Sequence, residues 1–265
     1  MTTFCTLFSG SSGNAVYLGT DAGAVLIDCG MSCKQILSAM EQAGLRPADL
    51  RAVFITHEHS DHVKGAGILS RKLDLPIYAT HGTWMGMETA LGEIPAHHRI
   101  LIEAGESFFL NDLEVVPFSI PHDAGDPVGY RLYAPGFSAA VATDLGYFAP
   151  TVKDAVEGAD VVLLESNHDP EMLKRNPHYP QHLKSRILGR KGHLSNASGA
   201  EAAVELVRSG TKHILLGHLS SENNTPELAF RTVRNALEKE GAEIGRDVTL
   251  NVAGRYQASH LYQVK

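Results

Sequence analysis

Residues 52–62 read Ala52-Val53-Phe54-Ile55-Thr56-His57-Glu58-His59-Ser60-Asp61-His62, an apolar run that turns abruptly into imidazoles and carboxylates. The run Ala52 to Ile55 predicts a buried strand. Gly65 and Gly67 follow, so the polar cluster is expected in the loop at the strand's end, where α/β sheets place their ligands. Three histidines and an aspartate between positions 57 and 62 supply nitrogen and oxygen donors suited to a first-row divalent ion. On a loop, His57 and His59 can point to one side while Asp61 and His62 turn toward a second position, which predicts two metals. The spacing differs from the His-Glu-x-x-His of a zinc-protease helix.

His-x-His-x-Asp-His after an apolar strand resembles the metallo-β-lactamase superfamily, and later segments extend the likeness. His122 lies in Ser119-Ile120-Pro121-His122-Asp123 behind the strand-like Leu113 to Phe118. Asp144 ends Ala139-Ala140-Val141-Ala142-Thr143-Asp144, and His218 ends His213-Ile214-Leu215-Leu216-Gly217-His218. Each signal is weak alone, but their joint order spans almost the whole chain. The resemblance implies that His57, His59 and His122 hold one metal and Asp61, His62 and His218 the other, with Asp144 bridging. It also implies metal-assisted hydrolysis, in which two divalent ions (Zn, Mn or Fe) share a hydroxide whose pKa is brought to about 7.

A chain of 265 residues with 43% apolar content can build one large α/β domain, and no linker divides residues 1–265. No long apolar run or signal-peptide pattern occurs, so a cytoplasmic protein without membrane contact is expected. Cys5, Cys29 and Cys33 are read as small buried apolar residues, not a disulfide framework. The net charge of -7 argues against non-specific affinity for nucleic acid or anionic membrane. Its distribution qualifies that, because Lys174, Arg175, Lys184, Arg186, Arg190 and Lys191 fall in one stretch without Asp or Glu. Such a face can contact a few phosphates, and charge alone is equally compatible with a solvated helix.

Taken in order, Phe4 to Phe8, Ala15 to Leu18 and Ala24 to Ile27 read as a strand meander broken by Ser9-Gly10-Ser11-Ser12-Gly13-Asn14. That loop is foremost a tight turn and only weakly a phosphate cradle, since no helix follows it. Helices are predicted over about Ser32–Ala43, Val63–Lys72, Trp84–Leu91, Ser195–Val207 and Pro226–Glu240. A second set of strands is predicted from Ser107 to Thr143. The pair His97-His98 reads as surface loop. Ala24 to Gly30 echoes Ala140 to Gly146, and Ala52 to Asp61 echoes Val161 to Asp169. Two such halves packed sheet against sheet give a four-layer αβ/βα sandwich, the superfamily's fold.

In the tRNA-processing and β-CASP nuclease branches, an acidic residue and a histidine lie between the bridging aspartate and the last histidine ligand. Glu165 and His193 occupy those intervals here, which implies His193 as general acid with Glu165 orienting it. Asp61 is counted with them among the catalytic residues. The phrases Ser9 to Asn14, Asp28-Cys29-Gly30, Thr56 to His62, Gly192 to Asn196 and Leu216 to Asn224 resemble the WalJ (YycJ-like) subfamily. That resemblance implies a phosphodiesterase acting on DNA ends as a 5′ to 3′ exonuclease. Asn14, His168, Ser195, Asn196 and Asn223 are expected near the site, as substrate phosphate contacts or as residues that support the ligands. The alternatives are a thioester or lactone hydrolase of the glyoxalase II type, or a small cyclic phosphodiesterase.

Overall fold

Short apolar runs closed by Gly, Asp or Asn become strands in the structure, a computed structural model that describes residues 1–264. β1 (Thr2–Phe8), β2 (Ala15–Thr20) and β3 (Gly23–Ile27) form the expected antiparallel meander. β4 (Leu50–Phe54), β5 (Ile77–Ala79) and β6 (Arg99–Leu101) continue that sheet in parallel. The second sheet starts antiparallel, with β7 (Phe108–Leu110), β8 (Leu113–Ser119), β9 (Val128–Ala134) and β10 (Phe137–Ala142). It turns parallel through β11 (Val161–Glu165), β12 (His213–Gly217) and β13 (Thr249–Val252), while β14 (Tyr262–Val264) returns to pair with β1. The two sheets therefore repeat one pattern, antiparallel then parallel, as the sequence echo implies.

Nine α-helices and two 3-10 turns (Pro47–Asp49 and Ala96–His98) complete the described residues; the α-helices are α1 (Cys33–Gln42), α2 (Ser60–Val63), α3 (Ala66–Leu73), α4 (His81–Leu91), α5 (Pro150–Val156), α6 (Pro170–Arg175), α7 (Gln181–Ile187), α8 (Asn196–Arg208) and α9 (Pro226–Lys239). α1, α3 and α4 bury Ile36, Met40, Leu69, Trp84 and Met87 against Leu7, Leu26 and Val53 of the first sheet. α5, α8 and α9 bury Val152, Leu206 and Val233 against Val162, Leu164 and Leu216 of the second. The alternate residues of the same strands, including Phe4, Val25, Phe54, Tyr130, Leu132 and Leu163, meet between the sheets. Period-two alternation with both faces apolar thus produces the four-layer αβ/βα sandwich. No helix among the described residues is long and apolar enough to cross a membrane, and all three cysteines are buried and unpaired.

The helix predicted over Val63–Lys72 is two helices. The Gly65 N–H donates to Cys29 O (2.7 Å), and a Cβ at Gly65 would fall 2.2 Å from Met31 O, so the chain breaks there to follow the neighbouring loop. Asp61 and His62 consequently ride on the short α2 and not on an open loop. The helix predicted from Trp84 starts three residues earlier, at His81, where the Thr80 side chain caps it by accepting from Thr83 N.

Candidate metal centre

Strand ends deliver polar residues to one edge of the sandwich. β4 leads into His57 and His59, β8 into His122, β10 into Asp144 and β12 into His218, while Glu165 is the last residue of β11. Asp28, Asp144 and His218 each leave their strand with positive φ (63°, 61° and 54°), a region disfavoured for residues other than glycine. The backbone therefore turns sharply at three site residues. Gly30 permits close approach on the other side, since a Cβ there would lie 1.7 Å from Asp61 O.

The seven expected ligands converge. His57 Nε2 lies 3.0 Å from His59 Nδ1, which lies 3.3 Å from His122 Nε2. Asp61 Oδ2 is 3.4 Å from His218 Nε2 and 3.6 Å from His62 Nε2. Asp144 stands between these groups, with Oδ2 3.4 Å from His62 and Oδ1 3.5 Å from His218 and 3.7 Å from His122. An ion with bonds of about 2.0–2.1 Å in tetrahedral geometry has ligand-to-ligand edges of about 3.3 Å. Three ring nitrogens meeting at this spacing cannot all satisfy one another as hydrogen bonds. Asp144 Oδ2 is buried with no hydrogen-bond partner, so the donor set fits divalent cations.

Outer partners fix the rings. His62 Nδ1 lies 2.7 Å from Asp28 Oδ2, His57 Nδ1 3.0 Å from Thr56 Oγ1, and His218 Nδ1 3.0 Å from Glu165 Oε1. These contacts turn Nε2 of each ring inward and leave it the lone pair, the arrangement that orients metal-binding histidines. Asp28 also accepts from Thr56 N (2.8 Å) and Thr56 Oγ1 (2.9 Å), which ties the ends of β3 and β4 together. In the sequence Asp28 stands out only within the phrase Asp28-Cys29-Gly30, with no role at the centre attached to it. Its equivalence to Asp144 in the internal echo was the available signal.

The titrations divide the centre. Burial, reinforced by the neighbouring His62, His122 and His59, holds His57 well below the ordinary histidine range. Burial also lowers His122, partly offset by Asp144. Burial acts the same way on His62, but Asp28, Asp61 and Asp144 outweigh it and raise that ring. His218 is likewise opposed by burial yet pushed up to about 10 by Asp144, Asp61 and Glu165.

Glu165 is fully buried and holds four donors. Leu145 N (2.7 Å) and Leu194 N (3.0 Å) reach Oε2, while His193 Nδ1 (2.8 Å) and His218 Nδ1 (3.0 Å) reach Oε1. His193 stands 3.6 Å from Asp144 and lines a cavity of about 360 Å³ with Asp61, Asp144 and His218. Burial works to lower the His193 pKa, and Glu165 more than offsets it, so the ring is held above its usual range. The far wall of the cavity includes Tyr179, Leu183 and Arg186 from the basic stretch, with Arg186 paired to Asp123.

The five expected substrate contacts lie around the centre, and none of them lines the cavity. Asn14 accepts from Gly10 N and reaches Asp61 O and His62 Nε2. Ser195 caps α8, and Asn196 bonds Ser166 and Asn224. Asn223 accepts from Asn176. His168 is buried, with both ring nitrogens unpartnered and its pKa lowered to about 4 by burial. The pair His97-His98 sits apart from the centre, beside Asp74.

Residues 24–219 match the family described as Beta-lactamase superfamily domain, and the chain belongs to the metallo-β-lactamase superfamily of metal-dependent hydrolases. Within it the chain falls in the WalJ (YycJ-like) subfamily. It is 41% identical over 242 residues to Exodeoxyribonuclease YycJ of Bacillus anthracis, covering 91% of both chains. It is 42% identical over 243 residues to Exodeoxyribonuclease WalJ of Streptococcus pneumoniae, covering 91% of this chain and 90% of that one. The crystal structure of the metallo-β-lactamase fold protein YhfI from Bacillus subtilis shares the fold, with a TM-score of 0.74 at 16% identity over 99% of this chain and 100% of that one.

Proposed function

We infer that the chain is one metallo-β-lactamase-fold domain over residues 1–265 and a dinuclear, metal-dependent exonuclease that acts on DNA ends in the 5′ to 3′ direction. The exodeoxyribonuclease names of the B. anthracis and S. pneumoniae relatives support the substrate. His57, His59 and His122 would hold one ion, Asp61, His62 and His218 the other, and Asp144 both. Zn, Mn or Fe suits such imidazole and carboxylate donors. Bound ions supply charge stabilisation of the phosphoryl oxygens and a nucleophile at neutral pH.

The observation that carries the reading is the His193–Glu165 pair beside that ligand set. Glu165 accepts a hydrogen bond from His193 Nδ1, and His193 lines the cavity with Nε2 making no hydrogen bond among the described residues. A departing alkoxide needs a proton, and Nε2 of a charged His193 can donate it. Glu165 stabilises the charged ring before transfer and keeps the neutral ring in one tautomer afterwards. Asp61 holds its side of the centre in ionised form, because His62 and His218 outweigh the effect of burial on its carboxyl. A thiolate leaving group has far less need of a proton, so the pair counts against the thioester alternative. Three buried free cysteines suit a reducing, cytoplasmic setting.

The test is digestion of matched DNA and RNA strands labelled at one end, with Mn or Zn added and Asp61→Ala as control. Metal-dependent release from the 5′ end of DNA, lost in the variant, is the expected result. Metal binding without cleavage of any polymer would overturn the nuclease reading.

A further inference from the structure

The Ser9–Asn14 loop is anchored to the centre on one side and open on the other. Ser9 Oγ accepts from His218 N (2.9 Å), Asn14 N donates to Asp61 O (2.8 Å), and Asn14 Oδ1 accepts from Gly10 N (2.9 Å). Gly13 N donates to Gly10 O (3.0 Å) and closes the turn. The N–H groups of Ser11 and Ser12, at the exposed tip, have no acceptor among the described residues, and Ser11 lines the cavity.

Arg255 comes to the same place from β13, the strand beside the one that delivers His218. Its Nη2 donates to Leu219 O (2.5 Å), and its Nη1 lies 3.1 Å from Ser12 Oγ and 3.5 Å from Ser11 Oγ. Among the described residues no carboxylate lies within 4.0 Å of this guanidinium. Arg186, the cation that lines the cavity, is by contrast already paired with Asp123. Two free N–H groups, two hydroxyls and an uncompensated guanidinium therefore gather at the rim of a cavity otherwise rich in carboxylates. Such a set of donors recognises a tetrahedral oxyanion.

We propose that the Ser11–Ser12 turn and Arg255 form a phosphate-binding subsite beside the metal centre, which holds a phosphate of the nucleic-acid strand next to the one being cleaved. The subsite rests on the nuclease reading and gives it a way to grip the strand. Two sources share the chemistry, a terminal phosphomonoester and an internal diester.

The test compares the wild-type enzyme with Arg255→Gln and Arg255→Lys on three substrates. These are an oligonucleotide with a 5′-phosphate, the same strand with a 5′-hydroxyl, and bis(p-nitrophenyl) phosphate, which has a single phosphate. Arg255→Gln should lose about tenfold more kcat/KM on the phosphorylated strand than on the small diester, chiefly through KM, with partial recovery in Arg255→Lys. The slope of log KM against log salt should fall by about one. A penalty confined to the phosphorylated strand assigns the terminal phosphate, and an equal penalty on both strands assigns an internal one. Equal losses on strand and small diester would overturn the subsite, leaving Arg255 as a prop for the loop after His218. A wild-type enzyme that cleaves the small diester but no strand would instead remove the nuclease reading, and the subsite with it.

Discussion

Glu165→Gln exchanges one oxygen for an NH₂ group and leaves the shape of the side chain unchanged, yet four hydrogen bonds make the exchange costly. Leu145 N and Leu194 N both point at Oε2, so the amide oxygen must stay there; reversing it leaves buried N–H groups unpaired at about 1–3 kcal/mol each. The NH₂ group then faces His193 Nδ1 and His218 Nδ1, both of which donate to the native carboxylate. Each ring can accept only by moving its proton to Nε2. In His218 that nitrogen faces Asp61 and Asp144, so a proton there blocks the lone pair needed for a metal. In His193 the charged ring loses the carboxylate that sustains it. Removal of such an outer partner typically costs 10–100-fold in metal affinity, or about 1.4–2.7 kcal/mol. Loss of general-acid assistance adds about 10²–10⁴-fold in turnover. Chelator competition measures the first effect, and release of nucleotides from a DNA strand at saturating metal, where the leaving alkoxide needs the proton, measures the second. Wild-type metal affinity in the variant would refute the link through His218 and leave Glu165 acting on His193 alone.

His193→Ala should lower kcat by about 10²–10⁴-fold while metal content measured by atomic emission stays intact; lost metal would make His193 a ligand. Loading the metal-free protein at pH 7.5 should release about two protons from His62 and His218, which are held up while His57 and His122 are held down, and up to about one more from the water the ions would share. Calorimetry in two buffers of different ionisation enthalpy reads that number, and zero would refute the division of the centre. Tyr130→Phe removes the hydroxyl that donates to Ile55 O (2.8 Å) between the sheets while keeping the ring stacked on Phe54. It should destabilise by about 1–2 kcal/mol, seen as a lower urea midpoint at unchanged slope; no shift would show that water replaces the bond.

The ligand cluster was legible because its chemistry is local. His57 to His62 declare themselves by composition, and His122, Asp144 and His218 by following apolar strands in order. The sandwich was legible from the internal echo, in which two halves each end an apolar strand on polar residues, together with the family resemblance. Arg255 escaped notice because it acts only where the ends of β1, β12 and β13 meet, a junction with no sequence signature. Asn196, Asn223 and His168 are expected near the site as phosphate contacts or as supports of the ligands, because polar loop residues often serve as either. All three are buried, and Asn196 and Asn223 tie the loops after β11 and β12 to their neighbours. The break at Gly65 was hidden for a related reason: glycine is tolerated inside a helix, and only the approach of Met31 O makes it a boundary.

The positive φ angles at Asp28, Asp144 and His218 set heat tolerance against activity in any directed-evolution campaign on this chain. A left-handed backbone at a residue other than glycine carries roughly 1–2 kcal/mol of strain, somewhat less for aspartate. At Asp28 glycine would relieve it only by unpairing buried Thr56 N, and at His218 only by emptying a buried site bonded to Glu165. Asp144, whose buried Oδ2 has no hydrogen-bond partner, is the vulnerable point, so a screen for thermal survival of the metal-free protein would enrich glycine there. That replacement would delete a proposed ligand of both ions, and fixing this codon is the simplest safeguard against well-folded, inactive sandwiches.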